Sequence, residues 1–217
     1  MQWRLNVKRM NKIIYIIRHG QTELNFRGVV QGKGVDADLN NLGRSQAEAF
    51  YQYYKSVPFD HVYTSTLKRT HQTVRKFIEA NIPWTQLSGL DEIGWGIYEG
   101  VESSETVRSA FTEMLGSWTA GNLTAKFENG ESPEEVKVRQ LEAFEVILKE
   151  EDAENILICM HGRAMRVLLC VLLDKPLSDM EEFPHTNTTL YKLEYDGTQF
   201  SILEFNNTDH LAHREED

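Results

Sequence analysis

Cysteine is scarce in this chain, and the two it has, Cys159 and Cys170, sit in apolar runs without C-x-x-C or Cys/His spacing. Cysteines placed this way are small buried hydrophobes in a reducing compartment, which excludes a disulfide framework and a redox dithiol. Long apolar runs are missing too. The longest, Val167 to Leu173, falls far short of the ~20 residues that cross a bilayer. Arg4, Lys8, Arg9 and Lys12 precede Ile13 to Ile17, but that stretch is too short for a signal-peptide core and meets Arg18 at once. A cytoplasmic location is therefore expected, and the N-x-[ST] triplets at Asn122, Asn187 and Asn206 are chance occurrences. Met10 directly precedes the first strand, so residues 1–9 are expected to be a disordered leader or a start-codon artefact.

Positive charge is the third deficit. Lys and Arg number 23 against 33 Asp and Glu, a formal charge of −10. A field of that sign repels nucleic-acid backbones and anionic lipid surfaces, and both are excluded as partners. It says less about a small anion, because a binding site is local. Hydrophobic residues at 41% and charged residues at 26% describe an ordinary soluble globular chain. At 217 residues it can bury roughly 70% of its unfolded surface around one core. No repeat, linker or low-complexity segment interrupts it, so a single domain over 1–217 is expected.

Ile13 to Ile17 is continuously apolar and β-branched, the pattern of a strand buried on both faces of a parallel sheet. The periodicity then predicts a helix from Leu42 to Val57 ended by Pro58, a strand at Asp60–Tyr63, and a helix capped by Thr64 or Ser65 running to Ala80. A short strand at Thr85–Leu87 and a glycine-rich loop from Gly89 to Gly100 follow. Residues 101–130 read as a helical excursion with Phe111, Met114, Leu115 and Trp118 on its apolar face. Ser132-Pro133-Glu134-Glu135 is a capping box with proline at the first helical position, opening a helix to Glu151. Asn155–Met160 is a second buried strand, Gly162–Leu173 a second apolar helix, and two strands flank Asp196-Gly197. The alternation predicts an α/β fold, a three-layer α/β/α sandwich about a mostly parallel sheet.

Two segments share a shape: Ile16-Ile17-Arg18-His19-Gly20 and Ile158-Cys159-Met160-His161-Gly162. Each sets a histidine just past an apolar strand, where open parallel sheets bind ligands, followed by a glycine that permits close backbone approach. Arg69, early in the helix after the second strand, can reach the same edge. Two guanidiniums and two imidazoles are donors suited to phosphoryl oxygens, and helix amides opening near Gly162 can add to them.

Arg18-His19-Gly20-Gln21-Thr22-Glu23-Leu24-Asn25 resembles the R-H-G-x-T-x-x-N signature of the histidine phosphatase superfamily, the clan of phosphoglycerate mutases and fructose-2,6-bisphosphatase. Thr64 to Thr70 looks like its second arginine segment, Leu90 to Gly100 like its acid segment, and His161-Gly162 like its second histidine. The resemblance runs from Ile13 to Phe205 and implies a phosphoglycerate mutase-like fold. It further implies that His19 attacks phosphorus to form a phosphohistidine while Arg18, Arg69 and His161 stabilise the transferring group and keep His19 unprotonated. Glu92 is the implied proton donor, with Asp91 and Glu99 as neighbouring alternatives. Asn25 steadies the phosphoryl group, and Gln31, Arg27 and Gly162 complete the expected substrate contacts. Arg163 and Arg166 flank the second histidine, with Arg166 expected in a structural ion pair.

The resemblance covers hydrolases and mutases. A mutase needs basic contacts beyond the acid segment, whereas residues 101–130 offer only Arg108 and Lys126 against Glu102, Glu105, Glu113 and Glu128. Phosphomonoester hydrolysis of a small metabolite is favoured, and Gln31-Gly32 with Leu39 to Gly43 resembles the broad phosphatase branch. A mutase is the alternative, and a non-catalytic phospho-ligand binder the third reading. No P-loop is present, seven dispersed histidines form no ligand cluster, and neither cofactor nor metal is expected. The pattern is silent on oligomeric state.

Overall fold

A computed structural model describes residues 11–213, so the expected leader lies outside the described residues. Strands β1 (Lys12–Arg18), β2 (His61–Thr64), β3 (Trp84–Gln86), β4 (Asn155–Met160), β5 (Leu190–Tyr195) and β6 (Phe200–Asn207) form one sheet in the order β3-β2-β4-β1-β5-β6. The first four run parallel, while β5 and β6 form an antiparallel edge. Helices α1 (Glu23–Phe26), α2 (Asn41–Tyr54), α3 (Lys68–Thr73), α4 (Arg75–Glu79), α5 (Glu105–Thr119), α6 (Pro133–Lys149) and α7 (Gly162–Leu172) complete the fold.

Side chains alternate across a strand, and the central strands β1 and β4 are apolar at nearly every position, so they feed two cores. Ile14, Ile16, Ile156, Ile158 and Met160 pack with α6 and α7 on one face. Tyr15, Ile17, Leu157 and Cys159 pack with Phe50 and Tyr54 of α2 and Phe77 of α4 on the other. Helices therefore cover both faces and the three layers follow.

The expected capping box opens α6, with Ser132 and Glu135 satisfying each other's amides. Lys12, buried at the foot of β1, gives its Nζ to the carbonyls of Glu150 and Ala153, both 2.6 Å away, just past the carbonyl end of α6. The excursion contains α5. Its Phe111 and Trp118 pack on Trp95, Tyr98 and Phe127, so these aromatics join the core.

One helix departs from expectation. The single helix predicted from Thr64 or Ser65 to Ala80 is two, α3 and α4, parted at Val74, and α3 starts on Leu67 with no side-chain cap. Thr64 Oγ1 instead accepts from Trp84 Nε1 at 3.0 Å, and Ser65 Oγ, 2.7 Å from His161 Nε2, takes the Leu67 amide at 3.1 Å, just ahead of the helix. The helix predicted to reach Val57 stops at Tyr54.

The loop after β1 lies flat on the first turn of α2. A Cβ added to Gly43 would stand 2.0 Å from the carbonyl oxygen of Gln21, and one on Gly20 would stand 2.6 Å from that of Gly43. In contrast, Gly116 of α5 has open space around it. Gly43→Ala should therefore destabilise by about 1–3 kcal/mol, as overpacking does. Gly116→Ala should stabilise by about 0.5–1 kcal/mol through helix propensity alone. Urea denaturation of the pair checks this, and a Gly43→Ala variant as stable as Gly116→Ala would refute the close approach.

Candidate active site

The parallel register of β1 with β4 pairs Arg18 with Met160, and the His19 amide donates to the Met160 carbonyl at 3.0 Å. The next residue of each strand is a histidine, so register alone brings His19 and His161 together, with ring centroids 5.1 Å apart. The buried His19 ring lies with Nδ1 2.7 Å from the carbonyl oxygen of Gly20. A carbonyl only accepts, so Nδ1 carries the proton and Nε2 keeps its lone pair. Burial first, then the charges of Arg69 and Arg18, hold His19 well below the usual histidine range. The expected repulsion is thus secondary to desolvation, and a charge on either of His19 and His161 opposes a charge on the other.

Arg69 is fully buried, carried in by α3. Its Nη1 donates to the Val35 carbonyl at 2.6 Å and its Nη2 to that of Gly32 at 3.4 Å, while Nε donates to His161 Nδ1 at 3.2 Å. That bond settles the neutral tautomer of His161: Nδ1 accepts, and Nε2–H is given to Ser65. Both ring nitrogens are engaged within the protein. Arg18 is pushed down to about 10 by burial, partly offset by Glu92, and it stays charged at neutral pH. Its Nη1 lies 3.1 Å from His185 Nδ1, and its buried Nε has no partner among the described residues.

The acid segment brings Glu92 to the amide end of α7. Oε1 accepts from the amides of Ile93 and Ala164 at 2.9 and 2.8 Å, and Oε2 accepts from Arg163 at 3.1 Å. His161 is the cap residue of α7 yet makes no capping bond, so a carboxylate remote in sequence satisfies those donors. The amides expected to receive a ligand near Gly162 are therefore occupied by Glu92. Glu92 is also the foremost negative charge acting on both Arg18 and Arg69. Asp91 instead binds the amide and hydroxyl of Thr66, and Glu99 the amides of Gly34 and Trp95.

Asn25 closes a capping box with Thr22 at the start of α1, and its Oδ1 also accepts from Asn187 at 3.4 Å. Gln31 Oε1 accepts from the Thr22 hydroxyl at 3.0 Å, whereas its Nε2 is buried and unpartnered among the described residues. Arg27 is exposed and ion-paired to Glu102. Gly162 lies against the His185 ring, 2.5 Å from where a Cβ would sit. Arg163 and Arg166 both pair with Glu181, the ion pair expected of Arg166.

Three neighbours escaped the sequence reading. His185 and Asn187 precede β5, and only the antiparallel pairing of β5 with β1 brings that loop beside Arg18 and His19. Arg139 of α6 donates to the backbone of the acid segment. Its signal was a charge at helical spacing from the buried Val136 and Ala143.

Three buried imidazoles and the half-buried His185 resist protonation: His19 and His161 lie well below the usual range, His185 at about 2 and His210 at about 4, each mainly through desolvation. Unfolding frees them to bind protons near pH 6.5, so their stabilisation is complete above that pH and is lost as pH falls below it. Each contributes a slope of about 1.4 kcal/mol per pH unit. The lowered carboxylates Glu48, Glu131, Glu135 and Glu181 act in the same direction, but only below their ordinary 4.5. Unfolding free energy should therefore drop steeply between pH 6.5 and 5, and a flat urea-denaturation profile there would contradict neutral burial.

The sequence pattern of the Histidine phosphatase superfamily (branch 1) matches residues 14–208. The chain is 32% identical over 182 residues to a 6-phosphofructo-2-kinase/fructose-2,6-bisphosphatase of Gallus gallus, covering 83% of this chain but only 36% of that protein. It thus spans about a third of the length of that bifunctional relative. A broad-specificity phosphatase of Saccharomyces cerevisiae is 30% identical over 210 residues, 92% of this chain and 87% of its own length. The solved structure of Bacillus stearothermophilus YhfR superposes with a TM-score of 0.81 at 28% identity, covering 92% of this chain and 99% of that one. Sequence pattern, full-length likeness and architecture agree, and the chain belongs to the histidine phosphatase superfamily, branch 1.

Proposed function

We propose that the chain is a phosphomonoester hydrolase that works through a phosphohistidine on His19, with a small phosphorylated metabolite as substrate. The observation that carries the reading is the bond from His19 Nδ1 to the Gly20 carbonyl, which leaves Nε2 as the lone-pair nitrogen of a neutral ring near the buried Arg69 and the half-buried Arg18. The near-full-length likeness to a broad-specificity phosphatase supports it.

In the first step the Nε2 lone pair forms a bond to phosphorus as the ester P–O bond breaks, and the departing oxygen takes the bonding pair. Glu92, which enters this step protonated, gives that proton to the departing oxygen, which is otherwise a poor leaving group. Water then attacks phosphorus, passing a proton to the Glu92 carboxylate, and the N–P electron pair returns to Nε2. Arg18 and Arg69 stabilise charge on the equatorial oxygens; both are already desolvated and little reorganisation is needed. His161, beside the His19 ring, accepts from Arg69 Nε on its Nδ1 and so helps hold that guanidinium. The Asn25 amide and the unpartnered Gln31 amide are the neutral donors left for substrate.

Hydrolysis rather than mutase chemistry is supported by the excursion, whose two bases are engaged in surface contacts, Arg108 with Ser103 at 3.3 Å and Lys126 with Glu135 at 2.6 Å. Incubation with a phosphorus-labelled monoester and an alkaline quench should trap a base-stable, acid-labile adduct on the wild type and none on His19→Ala. Label retained by His19→Ala would overturn the assignment. With 3-phosphoglycerate the expected product is inorganic phosphate, and an isomer formed only with a bisphosphate primer would establish the mutase instead.

A further inference from the structure

We propose that Arg139 is the positioning residue of the acid segment, and that its guanidinium fixes where Glu92 stands relative to the departing oxygen. The inference rests on Glu92 as the proton donor.

All three guanidinium nitrogens are used. Nη1 donates to the carbonyls of Gly89 and Asp91, both at 2.9 Å, and Nη2 to the carbonyl of Glu92 at 3.1 Å. Nη2 and Nε also grip the Glu131 carboxylate at 3.1 and 3.2 Å. Glu131 in turn accepts the Gly94 amide at 2.8 Å, so the segment is held by its backbone on both sides of Glu92. Gripping the backbone sets the segment's position irrespective of the side chains it carries. The Glu92 carboxylate is then aimed by the amides of α7.

The Glu131 carboxylate also takes Lys33 Nζ at 2.8 Å. Lys33 belongs to the loop whose Gly32 and Val35 carbonyls receive Arg69. One helical arginine thereby ties the proton donor to the loop that seats a phosphate-binding arginine. A planar fork with five N–H donors can span three carbonyls and a carboxylate, whereas the point charge of lysine cannot.

A displaced acid harms only reactions whose leaving group needs its proton. The test compares kcat/KM, which reports the phosphorylation step, for an alkyl phosphomonoester and for 4-nitrophenyl phosphate, whose phenolate departs unaided. Arg139→Gln should lose about 100-fold on the alkyl ester, the scale of an ångström's misplacement, and only a few fold on the nitrophenyl ester. Arg139→Lys should restore little of the loss, and methylguanidinium added to Arg139→Ala should restore alkyl-ester turnover selectively. Glu131→Gln, which keeps the arginine, should show the same selectivity in milder form and serves if the Arg139 variants fold poorly. Glu92→Gln is the reference. If it discriminates between leaving groups and the Arg139 and Glu131 variants lose equally on both esters or not at all, the positioning role is overturned and the acid assignment stands. If Glu92→Gln itself does not discriminate, the acid assignment falls, and the proposal falls with it.

Discussion

The parallel pairing of β1 with β4 is the constraint on which the rest of this molecule depends. Both strands are apolar at nearly every position and are buried on both faces, so the sheet is the boundary between two cores. A slip of one residue would exchange the two sets of side chains and break the packing of α2 on one face and α7 on the other. The register that survives is the one that sets Arg18 against Met160 and so His19 beside His161. The same logic extends to β2, paired with β4 through Thr64 and Cys159, which delivers Ser65 to His161 and sends Arg69 in on the following helix.

Having gathered its polar groups at the sheet edge, the fold takes most of them out of water. Desolvation is the largest influence on His19, His161, His185, Arg18 and Arg69 alike. For the imidazoles it favours the neutral ring. The guanidiniums stay charged, held by Glu92 and by loop carbonyls. The formal charge of −10 and a site built to receive an anion are thus compatible. The surplus of acid faces solvent, while the converging cations act over a few ångströms in a medium that screens poorly.

Glu92 shows how an acid can be placed without a rigid element of its own. It lies in a loop, yet the amides of α7 and a backbone clamp from α6 leave that loop little freedom. The sequence made Glu92 visible because it stands in a motif with a fixed order of residues. Nothing local marked the helix end it would occupy. Arg139 was hidden for a related reason: a charge inside a helical stripe reads as a solvated flank until the tertiary structure shows four backbone and carboxylate partners around it.

What the sequence determined by itself was local and periodic: the buried strands, the capping box at Ser132, the apolar α7, and the order of motifs that presents His19, Arg69, Glu92 and His161 at element ends. Those features rest on propensity, alternation and short-range hydrogen bonds, which a chain expresses within a few residues of itself. The tertiary structure alone decided the competitions. Ser65 and Thr64 were free to cap a helix until His161 and Trp84 offered their hydroxyls buried partners, and α3 starts without a side-chain cap. His185 and Asn187 gained their neighbours from an antiparallel pairing that no nearby residue encodes. A buried donor or acceptor must be satisfied by whichever group arrives, and arrival is a property of the whole fold.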